Sequence, residues 1–273
     1  MIKNDFNKST CIVVVTYNSE GYISECINSI LKVHPDVKII VIDNNSRDGT
    51  VAEVSNFKKV HLIKNDFNLG FAGGCNMGIK YVMRKGDDYD MLINPDVTII
   101  EPMLSQLVER SRTHNSIVGP VILDSSSKKI QCAGGSLNKI TCSFKYRNRN
   151  KEYKKSDLVE NVDWILGAAF LVNRDIINKN GLFDEDYFPA YVEEADYCFR
   201  ANKNFNIKSE IVYSSYVHHV GGTSSGKTEN YYKRLTKNRL FFAIKHLPAF
   251  YYFTSSLGII LKTTIYKVFG RYF

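Results

Sequence analysis

Four short apolar runs punctuate the first hundred residues, and each gives way to Thr, Asn or Asp. They are residues 11–15 (CIVVV), 37–42 (VKIIVI), 60–63 (VHLI) and 89–93 (YDMLI). Runs this short, rich in β-branched residues and bounded by polar loops, read as buried strands. Between the first two, Ile23, Cys26, Ile27, Ile30 and Leu31 repeat at helical spacing over residues 22–32. Asp48 or Thr50 can cap the next helix, and another runs from the end of NDFNLGFAGG to residue 84. Residues 101–114 then read as a helix and 117–123 as a strand. Strands alternating with helices imply an α/β fold, with a mainly parallel sheet covered on both faces. In such sheets ligands bind at the carboxyl ends of strands. Here those ends carry Thr16 and Asn18, Asp43, Asn68, and Asn94 with Asp96.

Residues 124–160 interrupt the alternation with SSSKK, KYRNRN and KEYKKSD, which predict exposed loops or an irregular hairpin. VDWILGAAFLV (162–172) reads as a strand, 174–180 as a short helix, and IKSEIVYSSYVHHV (207–220) as a strand. Between them Val192, Ala195, Cys198 and Phe199 form the apolar stripe of another helix. No internal repeat is present.

Composition narrows the class. In 273 residues, 44% are hydrophobic and 23% charged, which argues against a mostly disordered chain. No stretch reaches the roughly 20 apolar residues of a membrane span, and the N-terminus has no signal-peptide core, so a cytoplasmic chain is expected. Six scattered cysteines without a CxxC pair read as reduced, packed thiols. The formal charge of +8 is concentrated: residues 226–273 hold nine basic residues against Glu229, so residues 1–225 are neutral. The same tail carries 12 of the 33 Phe and Tyr residues. A basic, aromatic tail on a neutral body suggests an anionic surface as partner.

Each motif has a plain structural alternative. GGTSSGKT (221–228) matches the phosphate-binding GxxxxGK[ST] pattern, but only 45 residues follow it, too few for the domain that would carry the second metal-binding acid. GFAGGCNMG lacks dinucleotide-fingerprint spacing. Asp43 before NNS and DGT could simply cap a helix. In NPDV, Asp96 can hold a divalent cation that bridges two phosphates, or merely complete a Pro-Asp turn. EEAD places Glu193 and Asp196 on one helix face, with Glu194 about 100° away; an acidic first turn favoured by the helix dipole is the alternative. In HHVGG, a histidine after a strand can be a metal ligand or a surface residue.

Taken in order, TYN, DNNSRDGT, NLGFAGGCNMG, NPDV, WILGAAF, YFPAYVEEADYCFR and HHVGGTS resemble glycosyltransferase family 2. Within it they resemble the rhamnosyltransferase-like members that build bacterial surface polysaccharides such as O-antigen or capsule. The resemblance runs over about residues 11–225. It implies a GT-A fold, a nucleotide-sugar donor (dTDP-rhamnose), a saccharide acceptor that is lipid-linked, a divalent cation (Mg²⁺ or Mn²⁺) and inversion at the anomeric carbon. Thr16, Asn18, Asp43 and Asn44 then resemble the nucleoside-binding edge, with Asp43 at the base or ribose. Asn68, Gly70, Phe71 and Asn76 resemble the segment lining the nucleotide. Asn94-Pro95-Asp96 stands where the family has its metal-binding DxD, with Asn for the first acid, so Asp96 is the main carboxylate on the metal. His219 matches the downstream metal ligand, and Trp164 and Gly167 the acceptor side. Glu193-Glu194 matches a Glu-Asp pair whose second member is the general base. Glu194, one methylene longer, is therefore the expected base of a catalytic cluster Glu193, Glu194 and Asp196. Asp196 also has Arg200 one turn on as a salt-bridge partner.

The implied organisation is a nucleotide-sugar half (1–120), an acceptor and catalytic half (121–225) and a helical tail (226–273). Within the tail, residues 247–261 are uncharged but only 15 long, and suit a segment lying in the headgroup plane of an anionic membrane. Packing on the catalytic domain, or on a second copy in a homo-oligomer, is the alternative. Two other classes compete. A sugar-nucleotide pyrophosphorylase would need a Gly-rich, basic phosphate loop after the first strand, where TYNSEG stands instead. A non-catalytic nucleic-acid or membrane binder would gain nothing from strand-end acids, which repel phosphates without a metal.

Overall fold

The computed structural model describes residues 9–221, 229–250 and 253–254. The chain runs β1 (Thr10–Thr16), α1 (Ile23–Val33), β2 (Lys38–Asp43), α2 (Thr50–Ser55), β3 (Val60–Lys64), α3 (Gly70–Lys85) and β4 (Tyr89–Ile93). It continues β5 (Val97–Thr98), α4 (Leu104–His114), β6 (Ile117–Asp124), β7 (Ile130–Cys132), β8 (Gly135–Asn138), β9 (Ser143–Tyr146), β10 (Val159–Val162) and β11 (Ala169–Asn173). Then come α5 (Arg174–Asn180), a 3-10 turn (Glu185–Tyr187), α6 (Glu193–Phe205), β12 (Ser209–His219) and α7 (Glu229–His246).

Strand β1 is buried along its whole length because both its faces are covered. Cys11, Val13 and Val15 pack with Ala72, Cys75 and Ile79 of α3. Ile12 and Val14 pack with Ile23, Ile27 and Ile30 of α1 and with Leu104 and Leu107 of α4. The sheet order is β10-β12-β6-β11-β4-β1-β2-β3. Strands β3, β2, β1 and β4 are parallel, as are β6 and β12. Strand β11 lies antiparallel between β4 and β6. All six cysteines are buried and free.

Two expectations need correction. GFAGG does not precede α3 but forms its first turn: a Cβ on Gly74 would stand 2.4 Å from Val15, and one on Gly78 2.3 Å from Val13, so these glycines let the helix lie directly on β1. Residues 162–172 are not one strand. β10 is the edge strand, paired with β12, while β11 pairs in mid-sheet, and the chain crosses between them through Trp164, which bridges to Gly135. Within 124–160 the hairpin alternative holds: β8 and β9 pair antiparallel, and β7 before them pairs with β6. For the described part of the 226–273 tail, the alternative of packing on the catalytic domain holds. Phe242 of α7 is fully buried, edge-on to Phe144 and Phe199 at 5.2 Å each. The helix therefore closes the core over α6. Residues 222–228 of the GGTSSGKT match, and 251–252 and 255–261 of the uncharged segment, lie outside the described residues.

Candidate active site

At the parallel edge, β1 and β2 end together, with Thr16 in register with Asp43. The backbone stitches the strand ends: Asn44 N–H donates to the Thr16 carbonyl and Asn65 N–H to that of Asp43, both at 2.9 Å. Asn44 Nδ2 donates to the Gly70 carbonyl, tying this edge to the start of α3. Asp43 Oδ2 accepts from Ser46 N–H at 3.1 Å. Its Oδ1 and the Thr16 hydroxyl are buried without a hydrogen-bond partner, the cost of which a ligand's hydroxyl or base edge would remove. Asn18 faces differently: its Oδ1 accepts from Arg47 N–H, bracing the loop after β2.

Asn68 Oδ1 accepts from Gly70 N–H at 2.7 Å. Gly70 has φ +73°, and a Cβ there would lie 2.7 Å from the Pro189 carbonyl oxygen, so only glycine fits. Phe71 N–H donates to the same carbonyl, and the Phe71 ring abuts Gly167, whose Cβ would come within 3.0 Å of it. Asn76 is not placed to line a ligand. Its amide donates to the Phe183 carbonyl and Glu185, and its oxygen accepts from Phe183 N–H, so its hydrogen-bonding capacity braces the 3-10 turn.

Asn94 N–H donates to the Ala168 carbonyl, fixing the turn that delivers Asp96. Strand β5 then pairs with the end of β12, Val97 opposite His219. That pairing joins two sequence-distant candidates: His219 Nε2 lies 3.2 Å from Asp96 Oδ1, and each residue is 8% exposed. Asp96 Oδ2 accepts from Gly221 N–H, and His219 Nδ1 is 2.6 Å from Gln131 Oε1. Among the described residues no cluster of three or more His, Cys, Asp or Glu could hold a metal. A buried carboxylate facing an imidazole nitrogen nonetheless suits a cation that takes its remaining oxygens from a bound diphosphate.

The acidic cluster separates into three environments. Asp196 is fully buried, and its Oδ1 accepts from His246 Nε2 (2.6 Å), Lys245 Nζ (2.9 Å) and the Tyr187 hydroxyl (3.1 Å). Its Oδ2 accepts from Arg200 Nε at 2.7 Å. Burial alone would raise its pKa, but the His246 and Arg200 contacts hold it well below the usual carboxylate range. The expected Arg200 partner is present, but an ionised carboxylate so saturated with donors is an anchor, which removes Asp196 from the catalytic group. Burial, and then the charge of Glu194, push Glu193 well above an ordinary Glu. Burial pushes Glu194 up to about 7, against backbone N–H donors including that of Gly167. Its Oε2 is buried with no hydrogen-bond partner.

The segment leading into this pair is strained. Tyr191 and Val192 have φ of 84° and 81°, a region costly for a β-branched residue. Asn238 of α7 clamps it, its Nδ2 within 3.0 Å of the carbonyls of Tyr187, Ala190 and Tyr191. Trp164 is 4% exposed against Tyr146 and Phe144, with Nε1 buried and unpartnered. Tyr146 and Tyr231 both feel the charge of Glu194, and Arg149 sits over the Tyr146 ring at 5.5 Å. Sequence reasoning missed Gln131, Asn238, Tyr146, Arg149 and Tyr231. Nothing local marks them; each reaches the site through the tertiary fold.

Comparison with known proteins agrees with this geometry. The family model described as "Glycosyl transferase family 2" matches residues 11–180. A low-salt glycan biosynthesis hexosyltransferase of Haloferax volcanii is 27% identical over 202 residues, 72% of this chain and 62% of its own length. The dTDP-rhamnosyl transferase RfbF of Shigella flexneri is 25% identical over 223 residues, 81% of this chain and 72% of its own. The crystal structure of GalNAc-T7 with UDP, GalNAc and Mn²⁺ superposes with a TM-score of 0.67 at 15% identity, covering 97% of this chain and 58% of that one. This last likeness is one of fold, the GT-A arrangement. The chain spans less than two thirds of the hexosyltransferase and of the GalNAc-T7 chain.

Proposed function

The chain belongs to glycosyl transferase family 2, and from that premise we propose that it transfers a sugar, with inversion, from a nucleotide-sugar donor on the β1–β4 edge to a saccharide hydroxyl beside α6. The observation that carries this reading is Glu194. A carboxylate pushed up to about 7, with a buried oxygen that no protein group satisfies, is poised to take a proton near neutral pH. Thr16 and Asp43 orient the nucleoside through their buried, unpartnered oxygens. Asn44 and Asn68 hold the Gly70-Phe71 turn in shape, and Asn18 secures the neighbouring loop. Asp96 and His219, with Asn94 at the turn before them, would hold a divalent cation, Mg²⁺ or Mn²⁺. When bound, that cation would neutralise charge on the departing diphosphate. Trp164 and Gly167 border the acceptor. The Phe71–Gly167 contact supports a donor turn beside the acceptor side, and inversion requires the Glu194-activated hydroxyl to approach from the face opposite the diphosphate. One base and no enzyme nucleophile make this a single inverting displacement.

The name of the Shigella relative favours dTDP-rhamnose as donor, for a bacterial surface polysaccharide. A lipid-linked acceptor and a site of action on the inner face of the cell membrane fit the basic tail. Ile244, Phe250 and Phe253 are 63–69% exposed, apolar side chains suited to an anionic lipid surface. Among the described residues no helix is long and apolar enough to cross a membrane.

Incubation with dTDP-rhamnose and the corresponding UDP- and GDP-sugars, with lipid-linked saccharide acceptors and with or without Mn²⁺, tests the activity. Transferred sugar supports it, whereas nucleotide-sugar synthesis would identify a pyrophosphorylase. For the tail, flotation with anionic vesicles should fall when Ile244, Phe250 and Phe253 are changed to Glu. Equal flotation of wild type and variant would remove the membrane role.

A further inference from the structure

We propose that Gln131 is a positioning residue that selects the tautomer of His219, presenting its amide oxygen to Nδ1–H so that the Nε2 lone pair faces Asp96 and a divalent cation shared with it. This rests on the cation reading of Asp96 and His219 above.

Gln131 lies on β7 and His219 on β12, and both strands pair with the last residues of β6. The Nδ1 to Oε1 separation is 2.6 Å, and on the other side of the ring Nε2 is 3.2 Å from Asp96 Oδ1. An amide oxygen can only accept, so in this arrangement Nδ1 carries a proton, and in the neutral ring that leaves Nε2 bare. Two acceptors then face each other across 3.2 Å, an arrangement that a cation between them makes favourable. Gly221 completes the arrangement. A Cβ there would come 2.6 Å from Gln131 Nε2 and 3.5 Å from the His219 ring. Outer-shell partners of this kind set ligand orientation and are worth about 10–100-fold in metal affinity.

Two variants separate the possibilities. Gln131→Glu keeps an acceptor for Nδ1–H, whereas Gln131→Met keeps the length and removes it. Mn²⁺ affinity is measured by calorimetry with dTDP and, separately, with UDP. The His219 tautomer is read from long-range ¹H–¹⁵N couplings in the metal-free protein. The expected result is near wild-type Mn²⁺ affinity for Gln131→Glu and about a 10–100-fold loss for Gln131→Met, with the Met variant moved to the Nε2–H form. Unchanged Mn²⁺ affinity in Gln131→Met, or the same tautomer in wild type and Met variant, overturns the proposal. If wild type binds no Mn²⁺ with either nucleotide, the cation reading fails. The proposal as stated falls with it, while the tautomer measurement still decides whether Gln131 controls the ring.

Discussion

At the nucleotide edge, Asn18 and Asn44 take hydrogen-bond partners from loops 21–29 positions away, and Asp43 and Asn68 take theirs from residues two or three away. On the base helix the arrangement is held from farther off. Asp196 and the Tyr187–Tyr191 segment take their partners from α7, 47–51 positions along the chain. The first region presents buried acceptors on a backbone that the parallel sheet already fixes. The second must keep a strained turn and two destabilised carboxyls in place, and uses a helix beyond the family match of residues 11–180 to do it. Binding residues can therefore sit on a common scaffold, whereas the base needs a brace of its own.

The largest expected effect separates chemistry from bracing inside the acidic cluster. Glu194→Gln should lower sugar transfer by about 10²–10⁴-fold, the usual worth of a general base, with dTDP or UDP affinity unchanged. Transfer at the wild-type rate would place the base elsewhere. Asp196→Asn should act through stability instead. Loss of the charge that pairs Arg200 and Lys245 should cost about 3–5 kcal/mol, read from urea melts. A fully stable variant would show that α6 does not depend on this anchor.

A smaller effect probes the opposite side of the comparison. Gly78→Ala pushes a methyl into Val13 and should cost about 1–3 kcal/mol by overpacking. Melting would drop while Glu194-dependent chemistry, per folded molecule, stays near wild type. A large loss of rate in the folded variant would mean that the two regions are more tightly coupled than their contacts indicate.

The mildest test uses pH. A folded pKa for Glu194 near 7, against an ordinary 4.5, means that the native state keeps a proton the unfolded chain releases. Its contribution to stability is thus fully present below about 4.5 and is lost as pH rises towards about 7. Glu193 adds in the same sense. Transfer, which needs the ionised base, should rise over the upper part of that window. Glu194→Gln should accordingly be more stable than wild type at pH 8 and closer to it at pH 5. Equal stability differences at both pH values would argue against a destabilised Glu194.

Much of the parallel half was legible in the chain, because its signals are local. Strand runs, helical spacing and strand-end acids follow one another in sequence order, and backbone geometry converts that order into an edge lined with Thr16, Asp43, Asn94 and Asp96. The Arg200 contact of Asp196 was legible for the same reason, being one helical turn away. Other features were settled by packing between distant segments. Gly74 and Gly78 look like loop residues until α3 is laid on Val15 and Val13. Trp164 looks like part of a strand until β10 and β11 take different partners. Lys245, His246 and Asn238 look like parts of a basic tail until Phe242 is buried and brings α7 against α6. Gln131 sits in a polar stretch with no motif and acquires a role only where β7 and β12 meet at the end of β6. Local sequence determined which residues could do chemistry at the nucleotide edge. Which carboxylate is anchored, which carboxyls keep a buried oxygen without a partner, and which nitrogen of His219 faces Asp96 were decided by the tertiary structure, because burial and hydrogen-bond partners are supplied by segments far apart in the chain.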